Sequence, residues 1–299
     1  MSGVLNETEP IRLYDFETIC GISENKTYPV EFEISKPHEL RVKNQMTTGM
    51  CVAETIAQIS EAYYGKEMSE GQAYVCFRDD NHKGYGLFPS QSLKYWTEKS
   101  TIPRQYFDIV DEMPNIGEKY KQIPELDGLF EQYKIKGFAA LNYADRKIKD
   151  NCIKEALTTT AKVYGLVAVS KNYFTGGSHC IWLTGWNDNK GKYKFKNSWG
   201  DTYGDNGFSE IPKEQVNEVY LVFFEDIQLP FKDVHENDWS FPAIKNMYCS
   251  GLIKGTTENS FAPKDYVTRE QLCAIIDRLC SRIEKQNAVL SKLISIKDA

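Results

Sequence analysis

No stretch of the 299-residue chain approaches the roughly 18 consecutive apolar residues of a membrane-spanning helix, so a transmembrane protein is not expected. The opening, MSGVLNETEPIRLYDFETIC, lacks the basic start and apolar core of a secretory leader. The expected location is therefore the cytoplasm of the producing cell, with a virion or a cell wall as the alternative after release. Basic residues form no stripe: 36 Lys and Arg are scattered against 42 Asp and Glu, for a net charge of −6. That balance argues against nucleic acid as a partner. There is no CxxC pair, and only four His accompany the eight Cys at 20, 51, 76, 152, 180, 249, 273 and 280. A structural metal site is not expected from such spacing, nor is any cofactor. A disulfide framework belongs to short secreted chains, so most of these thiols are read as reduced.

What is present suggests an α+β chain of one large domain, residues 1–228, and one small one, 229–299. Residues 1–40, with Pro10, Pro29 and Pro37, read as extended segments and loops. From Cys51 to about Tyr64, Val52, Ile56, Ile59 and Tyr63 recur at helical spacing. Residues 68–125 read as short helices broken by Gly and Pro, and 148–165 as an amphipathic helix ending at Gly165. The pattern then changes. LVAVS, CIWLTGW, KYKFKNS and EVYLVFF are short, apolar or alternating, and rich in β-branched and aromatic residues, as strands of an antiparallel sheet are.

QMTTGMCVAETIAQ, residues 45–58, places Cys51 at the start of a helix. A helix N-terminus favours negative charge and is expected to depress the thiol pKa. Glu54 and Glu61 on the same helix oppose that, depending on where they point. A thiol nucleophile also needs a base, a group that orients the base, and donors for the developing oxyanion. His38 and His82 fall in polar loops and His235 in the small C-terminal unit. His179 differs, because TGGSHCIWLTGW mounts it between a Gly-rich turn and a strongly apolar strand. Asn197 follows in KFKNSWG, where a hairpin would bring its carbonyl to the imidazole and Trp199 would cover the bond. Taken alone, Cys51 reads as a core thiol, His179 as a strand-end histidine and Asn197 as a turn former.

In order and together, these residues resemble the papain-like (C1-type) cysteine peptidases. That family carries a Gln six residues before its Cys, as Gln45 stands to Cys51, a Gly where Gly49 falls, a His beginning a strand, and an Asn-Ser-Trp-Gly motif, intact here at 197–200. The resemblance covers about residues 10–225. It implies a two-subdomain fold, helical first and β-rich second. It further implies Cys51 as nucleophile, His179 as base and acid, Asn197 as orienter, and Gln45 with the Cys51 N–H as oxyanion hole. Gly84, Gly86, Ser178 and Trp199 are the implied substrate contacts. Thr48 stands where the family has a half-cystine, Val52 where it has an aromatic residue, and Glu54 is foreign to this helix. The Gly-Gly loop survives only loosely, as GYGLF at 84–88, and no long propeptide precedes Cys51.

The segment from Phe231 to Ile276 resembles an S-layer homology module: Phe231, Asp233 and Val234, then Trp239, Ala243 and Ile244, Gly251 and Gly255, Phe261 and Pro263, and Thr268-Arg269-Glu270-Gln271. Thr268 and Gln271 also have the spacing of a capping box. Such modules bind anionic cell-wall polymers, which implies Trp239, Thr268 and Arg269 as contacts. They usually come in threes that pack together, and this chain has one. Ile276, Leu279, Ile283, Leu290 and Leu293 form a heptad stripe with a gap at Gln286. Wall attachment and assembly, as a homotrimer, are both open on this pattern. The expectation is a thiol endopeptidase of a bacterium or phage acting on peptides or proteins. The alternatives are a catalytically degenerate papain-like component of a virion or cell surface, and acyl transfer by the same triad.

Overall fold

The computed structural model describes residues 4–5, 13–20, 26–78, 86–108, 122–141, 143–159, 166–174 and 177–297, with backbone only at 17, 282 and 285–297. The chain divides into two compact units: Met1–Phe16 with Cys20–Asp226, and Glu17–Ile19 with Ile227–Ala299. The elements in order are α1 (Phe16–Cys20), β1 (Glu31–Glu33), α2 (Cys51–Tyr64), α3 (Glu70–Cys76), α4 (Pro89–Glu98), α5 (Leu126–Tyr133), β2 (Gly137–Ala140), α6 (Arg146–Thr159), β3 (Leu166–Ser170), β4 (His179–Asn187), β5 (Lys192–Lys196), β6 (Phe208–Pro212), β7 (Glu218–Phe223), α7 (Phe241–Cys249) and α8 (Arg269–Lys297).

Helices come first and the sheet later, an α+β arrangement. The sheet runs β2-β7-β3-β4-β5-β6, with β1 added along the far end of β4. Every pairing is antiparallel, as the short apolar strands predict. β3 and β4 pair Ser170 with His179 and Val169 with Cys180. Gly185 is required where β1 crosses, because a Cβ there would lie 2.1 Å from the Phe32 carbonyl oxygen. β1, β2 and β6 were not read from the sequence. They are only three to five residues long, too short to show a strand period, and their neighbours in the sheet make them strands.

α2 ends where Gly65 adopts the left-handed conformation (φ 65°) and donates its N–H to Glu61 O at 2.9 Å. Its apolar residues bury as the periodicity predicts, but every residue from Cys51 to Ala62 is buried, polar ones included. α6 starts two residues before the helix read from the sequence, where Asp145 Oδ1 accepts from Lys147 N and Ile148 N at 2.8 and 3.0 Å. It is described only to Thr159, and Gly165 lies outside the described residues. One apolar cluster, around Val52, Ile56, Trp96 and Trp182, fills the space between α2 and one face of the sheet. A second, around Ile153, Leu183, Trp186 and Phe195, joins α6 to the other face.

The second unit has its own small core of Phe231, Val234, Ile244 and Ile253. Asp233 clamps the loop before α8, accepting from Ser260 Oγ (2.7 Å), Phe261 N (2.9 Å) and Ala262 N (2.8 Å). Those bonds hold its carboxyl down at about 2. Gly255 packs where a Cβ would lie 2.5 Å from the Phe231 ring. The capping box forms: Thr268 N donates to Gln271 Oε1 at 2.9 Å, and Gln271 N to Thr268 Oγ1 at 3.1 Å. Leu272, Ile276, Leu279 and Ile283 lie exposed along α8 at alternating four- and three-residue steps. The Leu290 and Leu293 side chains lie outside the described residues.

Candidate active site

One strand-like crossing of two segments assembles the site. Asn44 and Trp199 form an isolated antiparallel bridge. Around it, Gln45 N donates to Ser198 O and Gly200 N to Lys43 O, both at 2.9 Å. The segment before α2 is thereby zipped to the segment after β5. A buried lysine anchors each side. Lys43 Nζ reaches Glu61 Oε1 (2.8 Å), Glu70 Oε2 (2.7 Å) and Met68 O (3.0 Å). Lys196 Nζ donates to the carbonyls of Pro37, Leu40 and Arg41 at 2.8, 2.8 and 3.0 Å, and burial brings its pKa down to about 8. Asn197 and Gln45, the residues following these anchors by one and two positions, inherit fixed backbones.

His179 Nε2 lies 2.7 Å from Asn197 Oδ1. The same oxygen accepts from Ser198 N at 2.8 Å, which fixes the amide with its oxygen toward the ring. Nε2 is then the protonated nitrogen, and Nδ1 keeps its lone pair. Trp199 lies over the imidazole at 4.5 Å and 30°, and Phe174 meets it edge-on at 4.8 Å. Enclosed this way, the imidazole is held neutral: burial lowers its pKa to about 4, against the Asn197 bond, which raises it.

Cys51 is the first residue of α2 and wholly buried. The backbone N–H groups of Cys180, which follows His179 on β4, and of Val52 pull its pKa down. The helix terminus does not depress this thiol as expected from the sequence. Burial pushes it up to about 12, and the nearby Glu54 adds to the rise. Removing a charge from water costs more here than the partial charge of a helix end returns. Glu54 itself is buried, both carboxyl oxygens lack a partner, and burial followed by Glu70 raises its pKa well above 4.5. It is held in the neutral form.

Gln45 Nε2 donates to Thr48 O at 2.9 Å, and Ser198 Oγ donates to Gln45 Oε1 at 2.8 Å. A cavity of about 330 Å³ opens beside these groups, lined by Gln45, Thr48, Ser178, His179 and Trp199 among others. Met46, also lining it, is exposed in the left-handed conformation (φ 51°). Four of the sequence-selected residues thus meet in one cavity. Gly86 does not line it; its N–H donates to the Tyr74 hydroxyl at 2.9 Å. Gly84 lies outside the described residues. Sequence reasoning passed over Ser198 and Phe174. Ser198 was visible inside the NSWG motif, whereas nothing local marked Phe174.

The profile of the papain family cysteine proteases matches residues 28–222. The chain belongs to the papain family. It is a cysteine peptidase, and the S-layer homology domain profile matches residues 230–273 of its C-terminal unit. Among solved structures, it is similar to xylellain, a cysteine protease from Xylella fastidiosa: TM-score 0.58, 16% identity, covering 75% of this chain and 96% of that one. It is similar as well to procathepsin B S9 from Trypanosoma congolense, with TM-score 0.51 and 13% identity, covering 76% and 87%. At those identities the likeness shows the fold. A curated relative, an endoglucanase of Bacillus sp. (strain KSM-635), is 45% identical over 49 residues; the match spans 16% of this chain and 5% of that protein.

In the S-layer homology domain, Trp239 is 95% exposed and lines a separate cavity of about 620 Å³ with Asp233, Asp238 and Phe261. Thr268 and Arg269 are exposed but do not line it. No described helix is long and apolar enough to cross a membrane.

Proposed function

We propose that the peptidase cleaves peptide bonds through Cys51, His179 and Asn197, with Gln45 as an oxyanion donor. The observation that carries this reading is the orientation of His179: Nε2 is engaged by Asn197 Oδ1 at 2.7 Å, which leaves Nδ1 to take the thiol proton. As substrate docks, the Cys51 proton passes to Nδ1 and sulfur attacks the carbonyl carbon. Negative charge develops on the carbonyl oxygen. Gln45 has a second Nε2 hydrogen beyond the one given to Thr48, and the Cys51 N–H is among those an α-helix leaves unpaired at its start. The tetrahedral species collapses, the amine leaves with the His179 proton, and water hydrolyses the thioester with the imidazole again as base. Ser178 and Trp199, which line the cavity, are proposed to contact substrate there. Cleavage of a mixed peptide library by the full chain, with labelling of Cys51 by a thiol-directed peptidyl inhibitor, tests this. Undiminished cleavage by Cys51→Ala would refute it.

The S-layer homology domain supports a surface role: attachment to an anionic cell-wall polymer, with Trp239, Thr268 and Arg269 as contacts. The exposed stripe of Leu272, Ile276, Leu279 and Ile283 supports self-association, read as a trimer. Light scattering at micromolar concentration is expected to give three chains per particle, and a monomer would refute the trimer.

A further inference from the structure

Met46 lines the cavity beside His179 and is 65% exposed, which sets it at the rim. Its φ of 51° lies in the left-handed region, which glycine enters freely and a residue with a Cβ enters at a cost. The residues around it hold it there. Met46 N donates to Asn44 Oδ1 at 3.0 Å, and Thr48 donates both its N–H and its hydroxyl to Gln45 O. Asn44 is bridged to Trp199, and it packs so closely on Gly200 that a Cβ there would lie 3.0 Å from Asn44 Nδ2. A strained backbone kept beside reacting groups raises the question of what its side chain does. Several polar groups around the cavity are engaged with one another: Gln45 with Thr48 and Ser198, Asn44 with Met46, His179 with Asn197. Met46, Phe174 and Trp199 supply the apolar surface, and Phe174 is braced edge-on against Trp199 at 5.4 Å and Phe195 at 5.8 Å. No Lys, Arg, Asp or Glu is among the described lining residues. A charged side chain entering there would give up water with no opposite charge to meet.

We propose that Met46 is a specificity-determining residue of the peptidase: with the Trp199 and Phe174 rings, its thioether receives a bulky apolar side chain from the substrate residue that follows the scissile bond. The proposal rests on the catalytic reading of Cys51 and His179. The departing amine takes its proton from His179, so the residue that carries it lies against the imidazole. The cavity is lined by His179 and Gln45 but not by Cys51, which puts it on that side of the bond. Its volume of about 330 Å³ holds one large side chain. The aromatic wall is rigid, whereas the unbranched, polarisable Met46 side chain can settle onto apolar groups of different shape. The fixed backbone at 44–48 keeps that side chain at the rim when substrate enters.

The experiment uses the full chain and internally quenched peptides that differ only at the residue after the scissile bond: Leu, Phe, Gly, Asp or Lys. The parent is expected to favour Leu and Phe in kcat/KM over Gly, and Gly over Asp and Lys. Met46→Gly suits the left-handed backbone and removes the wall; the ratio of Leu to Gly is expected to fall roughly tenfold. Met46→Glu is expected to bring Lys above Leu at that position. In both variants the order of preference at residues before the scissile bond is expected to stay as in the parent. A parent indifferent to the varied residue or favouring a charged one, an unchanged Leu to Gly ratio in Met46→Gly, no gain for Lys in Met46→Glu, or a preference that shifts before the scissile bond would each overturn the proposal. Cleavage that persists in Cys51→Ala would bring down the catalytic reading and this proposal together. Cysteine-dependent cleavage with any of the other contrary results would overturn the proposal alone.

Discussion

The Ser198 hydroxyl donates to Gln45 Oε1 at 2.8 Å, joining two residues 153 positions apart and both almost fully buried. With its oxygen held there, the Gln45 amide presents its nitrogen to the other side. Ser198→Ala frees that oxygen and is expected to lower kcat by about fivefold, the worth of one net hydrogen bond. Gln45→Ala removes the donor itself and is expected to lower kcat by about 10²–10³. Steady-state kinetics on both variants check the order. If Gln45→Ala altered KM alone, Gln45 would be a substrate contact instead.

The resting thiol and imidazole stand at about 12 and about 4, so between these values the pair is neutral without substrate. Alkylation of Cys51 by iodoacetamide is therefore expected to climb with pH through the range 7–10, following the thiolate fraction. A rate already flat from weakly acidic pH upward would reveal a thiolate–imidazolium pair instead.

Glu54 is a stability liability whose sign follows from its neutral state. Its folded pKa is raised above the ordinary 4.5, so its contribution is intact below that value and is lost as pH rises toward the folded one. Glu54→Gln removes the ionisation and keeps the shape. Its melting temperature is expected to exceed the parent's at pH 8 by more than at pH 4. An equal difference at both pH values would show that Glu54 ionises freely in the fold.

Asp233 holds three donors of the loop at 260–262. Asp233→Ala is expected to loosen the S-layer homology domain, seen as faster proteolysis after residue 226, while peptide cleavage is retained. Loss of cleavage in that variant would show that the peptidase depends on the domain's integrity.

The six-residue interval from Gln45 to Cys51, the intact NSWG motif and the apolar strand behind His179 were legible because each is a local pattern. Helical and strand periodicities, and chemistry tied to fixed spacing, survive in one dimension. The Phe-x-Asp-Val start and the Thr268–Gln271 capping box of the C-terminal domain were legible for the same reason. Tertiary structure alone decided how deeply each group is buried. α2 has an evident apolar stripe, yet its polar side is buried too; burial, with Glu70 nearby, keeps Glu54 neutral, and burial makes Cys51 a high-pKa thiol. It also decided that Ser198 meets Gln45 and that Phe174 meets His179. Desolvation and long-range pairing depend on which distant segments cover a side chain, and nothing in a residue's immediate neighbours in sequence records that.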